Sequence, residues 1–145
     1  MLRYEAVSSR YQHRQREHKL QPSTAVADRL GERDAADLFI ATFTIAEIWR
    51  GIPNLPQSRR RTALDEWFGG PEGPQALFSG RILAFDQAAP FEWTRLMAAG
   101  KRLGRARSPL DMIIAATAAA NDCVVVTANG RHFVDAVEVV NPLRL

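Results

Sequence analysis

From Ser23 onward, the apolar positions of this chain switch between two spacings. "STAVADRLGERD" sets Ala25, Val26 and Leu30 at helical spacing and stops at Gly31. "LFIATF" (Leu38 to Phe43) is a short, mostly apolar run that predicts a strand, and "TIAEIWRGI" follows directly as a helix broken by Pro53 and Pro56. "SRRRTALDEWFGG" (Ser58 to Gly70) predicts another helix, "GGPEGP" a loop, and "RILAF" (Arg81 to Phe85) a strand or the end of a turn. "QAAPFEWTRLMAAGKRLGR" predicts an amphipathic helix with Phe91, Leu96 and Leu103 as its apolar positions. In "SPLDMIIAATAAAND", Ser108 suits a cap, Pro109 suits a first turn, and alanine fills the body of a strong helix. "CVVVT" (Cys123 to Thr127) predicts a strand buried on both faces, "ANGRHF" a loop or one helical turn, and "VEVV" (Val137 to Val140) a last short strand.

Strands alternating with helices predict an α/β fold of three layers, a mostly parallel central sheet flanked by helices. The orderly pattern covers residues 23–145 and needs one domain. Residues 1–22 break it. "VSSRYQHRQREHK" (Val7 to Lys19) stands where the first strand is expected and is almost without apolar residues. A strand buried on both faces does not carry Arg10, Gln12, His13 and Arg14 without partners. The expectation is a first strand missing or disrupted, and an aberrant basic segment at 1–22 that is not part of the fold.

Charge is confined in the same way. The chain has 145 residues and a net charge of +3. Residues 1–22 alone hold five basic and two acidic side chains, also +3, so residues 23–145 balance. The basic pI near 9.6 is therefore no argument for a nucleic-acid surface on the domain itself. No apolar run approaches the ~20 residues needed to span a bilayer, and no apolar region follows the basic N-terminus as a secretory signal requires. The single cysteine, Cys123, excludes an internal disulfide and a cysteine-based metal site. A reducing cytoplasm is the expected compartment.

Ligands of open parallel sheets bind beyond the carboxyl ends of the strands. Glu47 lies just past "LFIATF", and Asp111 lies in the first turn after "ARSPL". Each stands three residues after a hydroxyl, Thr44 and Ser108, so each also fits a capping box. By pattern alone the capping reading leads. The alternative is convergence of the two carboxylates on a hard divalent cation such as Mg²⁺, which suits phosphoryl transfer. Thr127 and Asn129 follow the end of "CVVV", either as a simple Asn-Gly turn or facing the same rim. His132 reads as an exposed loop histidine or a ligand, Cys123 as packing, and Trp49, Trp67 and Trp93 as core or interface.

"DLFIATFTIAEIWRGIPNLP", "RILAFD", "GRARSPLDMIIAATAAANDCVVVTANGRHF" and "VEVVNP" together resemble the PIN-domain toxins of the VapC type, in order and spacing, over about Ser23 to Pro142. The resemblance implies an endoribonuclease dependent on Mg²⁺ or Mn²⁺, held inactive by a VapB-type antitoxin, as a homodimer or a toxin–antitoxin heteromer without a membrane. It implies metal-ligand roles for Glu47 and Asp111, support of the site by Thr127 and Asn129, and a place for His132 where an aspartate, less often a histidine, follows the T-x-N motif. The family's opening strand and first aspartate, of the form "LLDTNVxSE", have no counterpart, so activity of the chain as written is expected to be impaired.

That opening is present in another form. Taking the last two bases of each codon with the first base of the next, Tyr4 to Glu17 permits "M-K/R-x-Y-L-L-D-T-N-I-V-S-E". The expectation is that residues from about 4 to about 21 are read out of frame. Two other readings compete with an active toxin: a degenerate, non-catalytic PIN protein that still binds an antitoxin, and an RNA-binding protein with a genuine basic arm.

Overall fold

The computed structural model describes residues 6–9 and 37–141. The helix expected at residues 23–34 lies outside them. Five strands form one sheet: β1 (Ala6–Ser9), β2 (Leu38–Ala41), β3 (Ile82–Leu83), β4 (Cys123–Val126) and β5 (Val139–Val140), in the order β3-β2-β1-β4-β5. β2 pairs in parallel with β3, and β4 with β5. β1 lies between these two parallel pairs and runs antiparallel to both, with Ala6 opposite Ile40 on one side and Val126 on the other.

The sequence placed residues 1–22 outside the fold. The structure instead seats Ala6–Ser9 at the centre of the sheet, and the rest of that segment lies outside the described residues. These four residues are the uncharged run between Glu5 and Arg10, the only kind of run that an interior strand position admits without ionic partners. Against the expectation of a first strand missing or disrupted, a strand is present here and runs antiparallel to both its neighbours.

Helices cover both faces. α1 (Thr42–Gly51) follows β2 without a loop, α2 is Arg59–Gly69 and α3 is Pro74–Leu77. Across the sheet lie α4 (Ala89–Arg102) and α5 (Pro109–Ala120). Successive strand residues alternate between faces. Cys123 and Val125 thus join Leu96, Met112, Ile114 and Phe133 in the main core, while Val124 and Val126 join Val140 in another cluster. Ile40, Ile45 and Ile48 form a third cluster with Trp67, Phe68, Phe78 and Ile82. α5 is apolar nearly all round, and six consecutive members of it, from Ile113 to Ala118, are at most partly exposed, as befits a helix enclosed by sheet and neighbour.

Three details differ from the expected elements. β2 ends at Ala41, so Thr42 and Phe43 already belong to α1. The buried stripe of α4 contains Ala89, Leu96 and Gly100, with Trp93 and Met97 beside them; Phe91 and Leu103 are exposed. α3 falls just beyond the glycine-rich loop. It starts with Pro74 after Gly73, where any Cβ would stand 2.2 Å from the carbonyl oxygen of Phe68.

Candidate active site

β2 and β4 are both antiparallel to β1 and hence parallel to each other, so their carboxyl ends share one rim. At that rim α1 leaves β2, and Thr127 ends β4. Thr127 is buried, and its Oγ1 accepts the backbone N–H of Asn129 at 3.1 Å. This closes the chain into a tight turn that leads to a 3-10 turn, Gly130–Phe133. Phe133 is fully buried and anchors the turn in the core, which leaves its neighbour His132 at the surface. Thr127 and Asn129 thus shape the loop that delivers His132.

His132 meets Asp111. Its Nδ1 lies 3.0 Å from Asp111 Oδ2, the side chains being 40% and 21% exposed. Asp111 is in the first turn of α5, where its backbone N–H donates to Ser108 Oγ at 3.2 Å. The serine cap expected at Ser108 is therefore present, but the Asp111 carboxylate turns to His132. The matching cap at Thr44 is not formed. α1 starts two residues earlier, behind Ala41, and Thr44 Oγ1 is buried without a partner among the described residues.

Glu47 projects from α1 and is partly buried. Its carboxyl is held above the ordinary carboxylate range, first by burial and second by the negative charge of Asp111, with Arg50 acting in the opposite sense. Glu47 and Asp111 therefore share one electrostatic neighbourhood, and all five residues singled out in the sequence belong to the rim or to the elements that leave it.

The donor set tests the fit of a cation. Two carboxylates are hard oxygen ligands, and Mg²⁺ is commonly held by one or two carboxylates plus waters and substrate phosphate. Burial first and the Asp111 charge second both disfavour ionised Glu47, and a divalent ion would oppose both by favouring the carboxylate. Among the described residues no group of three or more His, Cys, Asp or Glu side chains is arranged to enclose a metal. The two carboxylates thus fit a partly hydrated ion. The described residues of β1 carry no carboxylate, and its carboxyl end, Ser9, pairs with Cys123 at the opposite rim.

Sequence reasoning missed a cleft next to Asp111. It has a volume of about 510 Å³ and is lined by Arg105, Arg107, Arg131 and His132 among others. The signal in the sequence was the arginine-rich "GRARSP" before α5, to which the sequence reading gave no role of its own. Trp49, expected as core or interface, is 48% exposed and stacks on Phe68 at 4.6 Å, whereas Trp93 donates its Nε1–H to the carbonyl of Pro109. Among the described residues no helix is long and apolar enough to cross a membrane.

The PIN-domain family profile matches residues 18–138. The chain is 31% identical to the VapC ribonuclease Y4jK of Sinorhizobium fredii over 125 residues, 86% of this chain and 88% of that protein. It is 30% identical to toxin FitB of Neisseria gonorrhoeae over 123 residues, 84% of this chain and 87% of that one. Among solved structures, FitAcB from Neisseria gonorrhoeae superposes with a TM-score of 0.77 at 29% identity, covering 88% of this chain and 91% of that chain. The DNA-bound VapBC of Salmonella typhimurium shares the fold, with a TM-score of 0.65 at 22% identity, covering 82% of this chain and 85% of that chain. A profile that spans most of the length, and relatives near 30% identity along the same stretch, agree: the chain belongs to the PIN-domain family, among the toxins of the VapC and FitB kind.

Proposed function

We propose that this chain is an endoribonuclease toxin of a VapBC-type system, with Glu47 and Asp111 as ligands for Mg²⁺ or Mn²⁺, and that its activity is impaired as written. The observation that carries the reading is the position of the Asp111 carboxylate, bonded to His132 on one side and felt by Glu47 on the other. The VapC relative named a ribonuclease supports RNA as the substrate. Solved relatives that are FitAB and VapBC assemblies, some with DNA, support a VapB-type antitoxin as partner. The buried thiol of Cys123, the chain's single cysteine, suits a reducing cytoplasm.

When bound, the cation supplies positive charge to a phosphodiester and acidifies a water. The chain's own residues do the rest. Asp111 and Glu47 hold the charge at the rim. His132 fixes the orientation of the Asp111 carboxylate, as outer partners of ligand carboxylates do. Thr127 and Asn129 hold the turn on which His132 rides. The described β1, Ala6–Ser9, carries no aspartate, and its carboxyl end, Ser9, lies beside Cys123 at the opposite rim. This is the basis of the impairment.

The test compares cleavage of single-stranded RNA, with Mg²⁺, by three chains: the chain as written, a chain whose opening is restored from the other reading frame, and the restored chain with Asp111→Asn. The restored chain is expected to cut, and the other two to fall below it by on the order of 10²-fold. Equal activity of the chain as written would overturn the impairment. No cutting by the restored chain would overturn the nuclease reading in favour of a non-catalytic antitoxin-binding protein, the second reading, which the reversed β1 favours. In the restored chain, His132→Ala is expected to lower Mg²⁺ affinity roughly 10–100-fold, read by the Mg²⁺ dependence of the melting temperature.

A further inference from the structure

Three arginines line the cleft beside Asp111, and they are engaged in three different ways. Arg107 is a structural tie. It donates from one terminal nitrogen to the carbonyl of Leu96 at 2.6 Å and from the other to the carbonyl of Asp135 at 2.9 Å. Its stem crosses α4 at Gly100, where a Cβ would stand 2.7 Å from Arg107 Cδ. Arg105 is held by the carboxylate of Asp135. Arg131 is exposed and has no ion-pair or hydrogen-bond partner among the described residues. A second cleft, of about 350 Å³, shares Arg105, Ala106 and Arg107 with the first and extends to Lys101. The two clefts make one basic track that ends at Asp111 and His132.

We infer that this track seats the backbone of a single RNA strand beside the Asp111–His132 pair, with Arg131 as the phosphate-binding residue next to the pair and Arg105 as the next contact outward. The inference rests on the nuclease reading for its choice of RNA. Guanidinium groups pair with phosphate oxygens through forked N–H donors, and an uncompensated one at a cleft wall has its full charge to offer. A cleft of this size admits one strand, whereas a duplex presents itself across successive grooves. The φ of +58° at Asp135 places that residue in the left-handed region, where an aspartate or asparagine is tolerated better than most side chains. Asp135 therefore acts as the holder of Arg105 and limits how much of its charge faces the strand.

The experiment measures binding of a labelled single-stranded RNA of about eight nucleotides by the full chain, in chelator, so that no cutting occurs. Titrations at several salt concentrations give the affinity and its salt slope. Arg131→Gln is expected to weaken binding about tenfold and to lower the slope by about 0.7, the share of one phosphate on a single strand. Arg60→Gln on α2, which removes the same charge elsewhere, is expected to leave both nearly unchanged. Asp135→Asn is expected to tighten binding, and Asp65→Asn on α2 is not. Equal losses in Arg131→Gln and Arg60→Gln would overturn the inference, as would failure of the unaltered chain to bind RNA, or tighter binding of duplex DNA with the same dependence on Arg131. RNA binding that depends on Arg131, combined with no cutting by the frame-restored chain, would keep the track and sink the nuclease reading. Cutting that is indifferent to Arg131 would do the reverse.

Discussion

At the scale of single residues, the site is an arrangement of charge that the fold tolerates at a cost. Glu47 keeps its proton to higher pH in the folded chain than in the unfolded one, because burial and Asp111 both oppose its ionisation. The sign follows. As pH rises from the ordinary glutamate value toward the raised one, the unfolded chain releases a proton that the folded chain retains, so stability falls with rising pH across that window. Glu47→Gln is therefore expected to melt higher than the unaltered chain in metal-free buffer at about pH 7, with the difference vanishing below about pH 4. Melting curves of both chains at the two pH values decide it, and a difference that persists unchanged in acid would contradict the assignment. Glu47, Asp111, Thr127 and Asn129 stand out in the sequence by their offsets from apolar strands and helices, but pattern alone favoured caps and a turn for them, and only the resemblance to the family set them together. The bond between His132 and Asp111 was not legible, because it joins residues 21 positions apart through a turn whose direction depends on Phe133 entering the core. The basic cleft was illegible for the same reason: Arg105 and Arg131 belong to different loops that meet only in three dimensions.

Elements show where pattern and structure part. Thr44-x-x-Glu47 and Ser108-x-x-Asp111 look alike as strings, yet only Ser108 is followed by the first turn of a helix. α1 grows directly out of β2, which moves its start ahead of Thr44 and leaves that hydroxyl inside the helix, buried and without a partner among the described residues. The two positions should answer mutation in opposite senses. Ser108→Ala is expected to cost about 1 kcal/mol through the lost cap. Thr44→Val removes a buried hydroxyl without a partner and is expected to be stabilising by about 1 kcal/mol. Denaturant titration of the two variants checks both, and destabilisation by each in equal measure would restore the cap reading for Thr44. The strong helix α5 and strand β4 were readable because composition and burial agree along their whole length. α3 was hidden because four residues carry no period, and its start is set by Gly73 fitting against the end of α2. The stripe of α4 was misread because Phe91 and Leu103 are apolar by composition but face outward, while Ala89 and Gly100 do the packing.

For the molecule as a whole, the decisive feature is the sheet. Its fold class was legible from alternation alone, but the identity of its central strand was not, since nothing in "AVSS" announces a strand. Ala6–Ser9 nonetheless takes the central place, paired with β2 on one side and β4 on the other. β1 is in effect a keystone seated by main-chain bonds between two half-sheets. Without it, β2 and β4 each become a raw edge, with unpaired backbone groups along Leu38–Ile40 and Cys123–Val126. A chain lacking residues 1–9 is therefore expected to associate edge to edge, visible as a concentration-dependent rise in size by light scattering, and an added short apolar peptide is expected to reverse it by strand addition. A deleted chain that stays monomeric at all concentrations would show that the edges are guarded by other means. A sheet whose middle is held by four residues of the chain's opening segment is, in this sense, a receptor for extended peptide, open to rescue in trans by any strand that fits the gap.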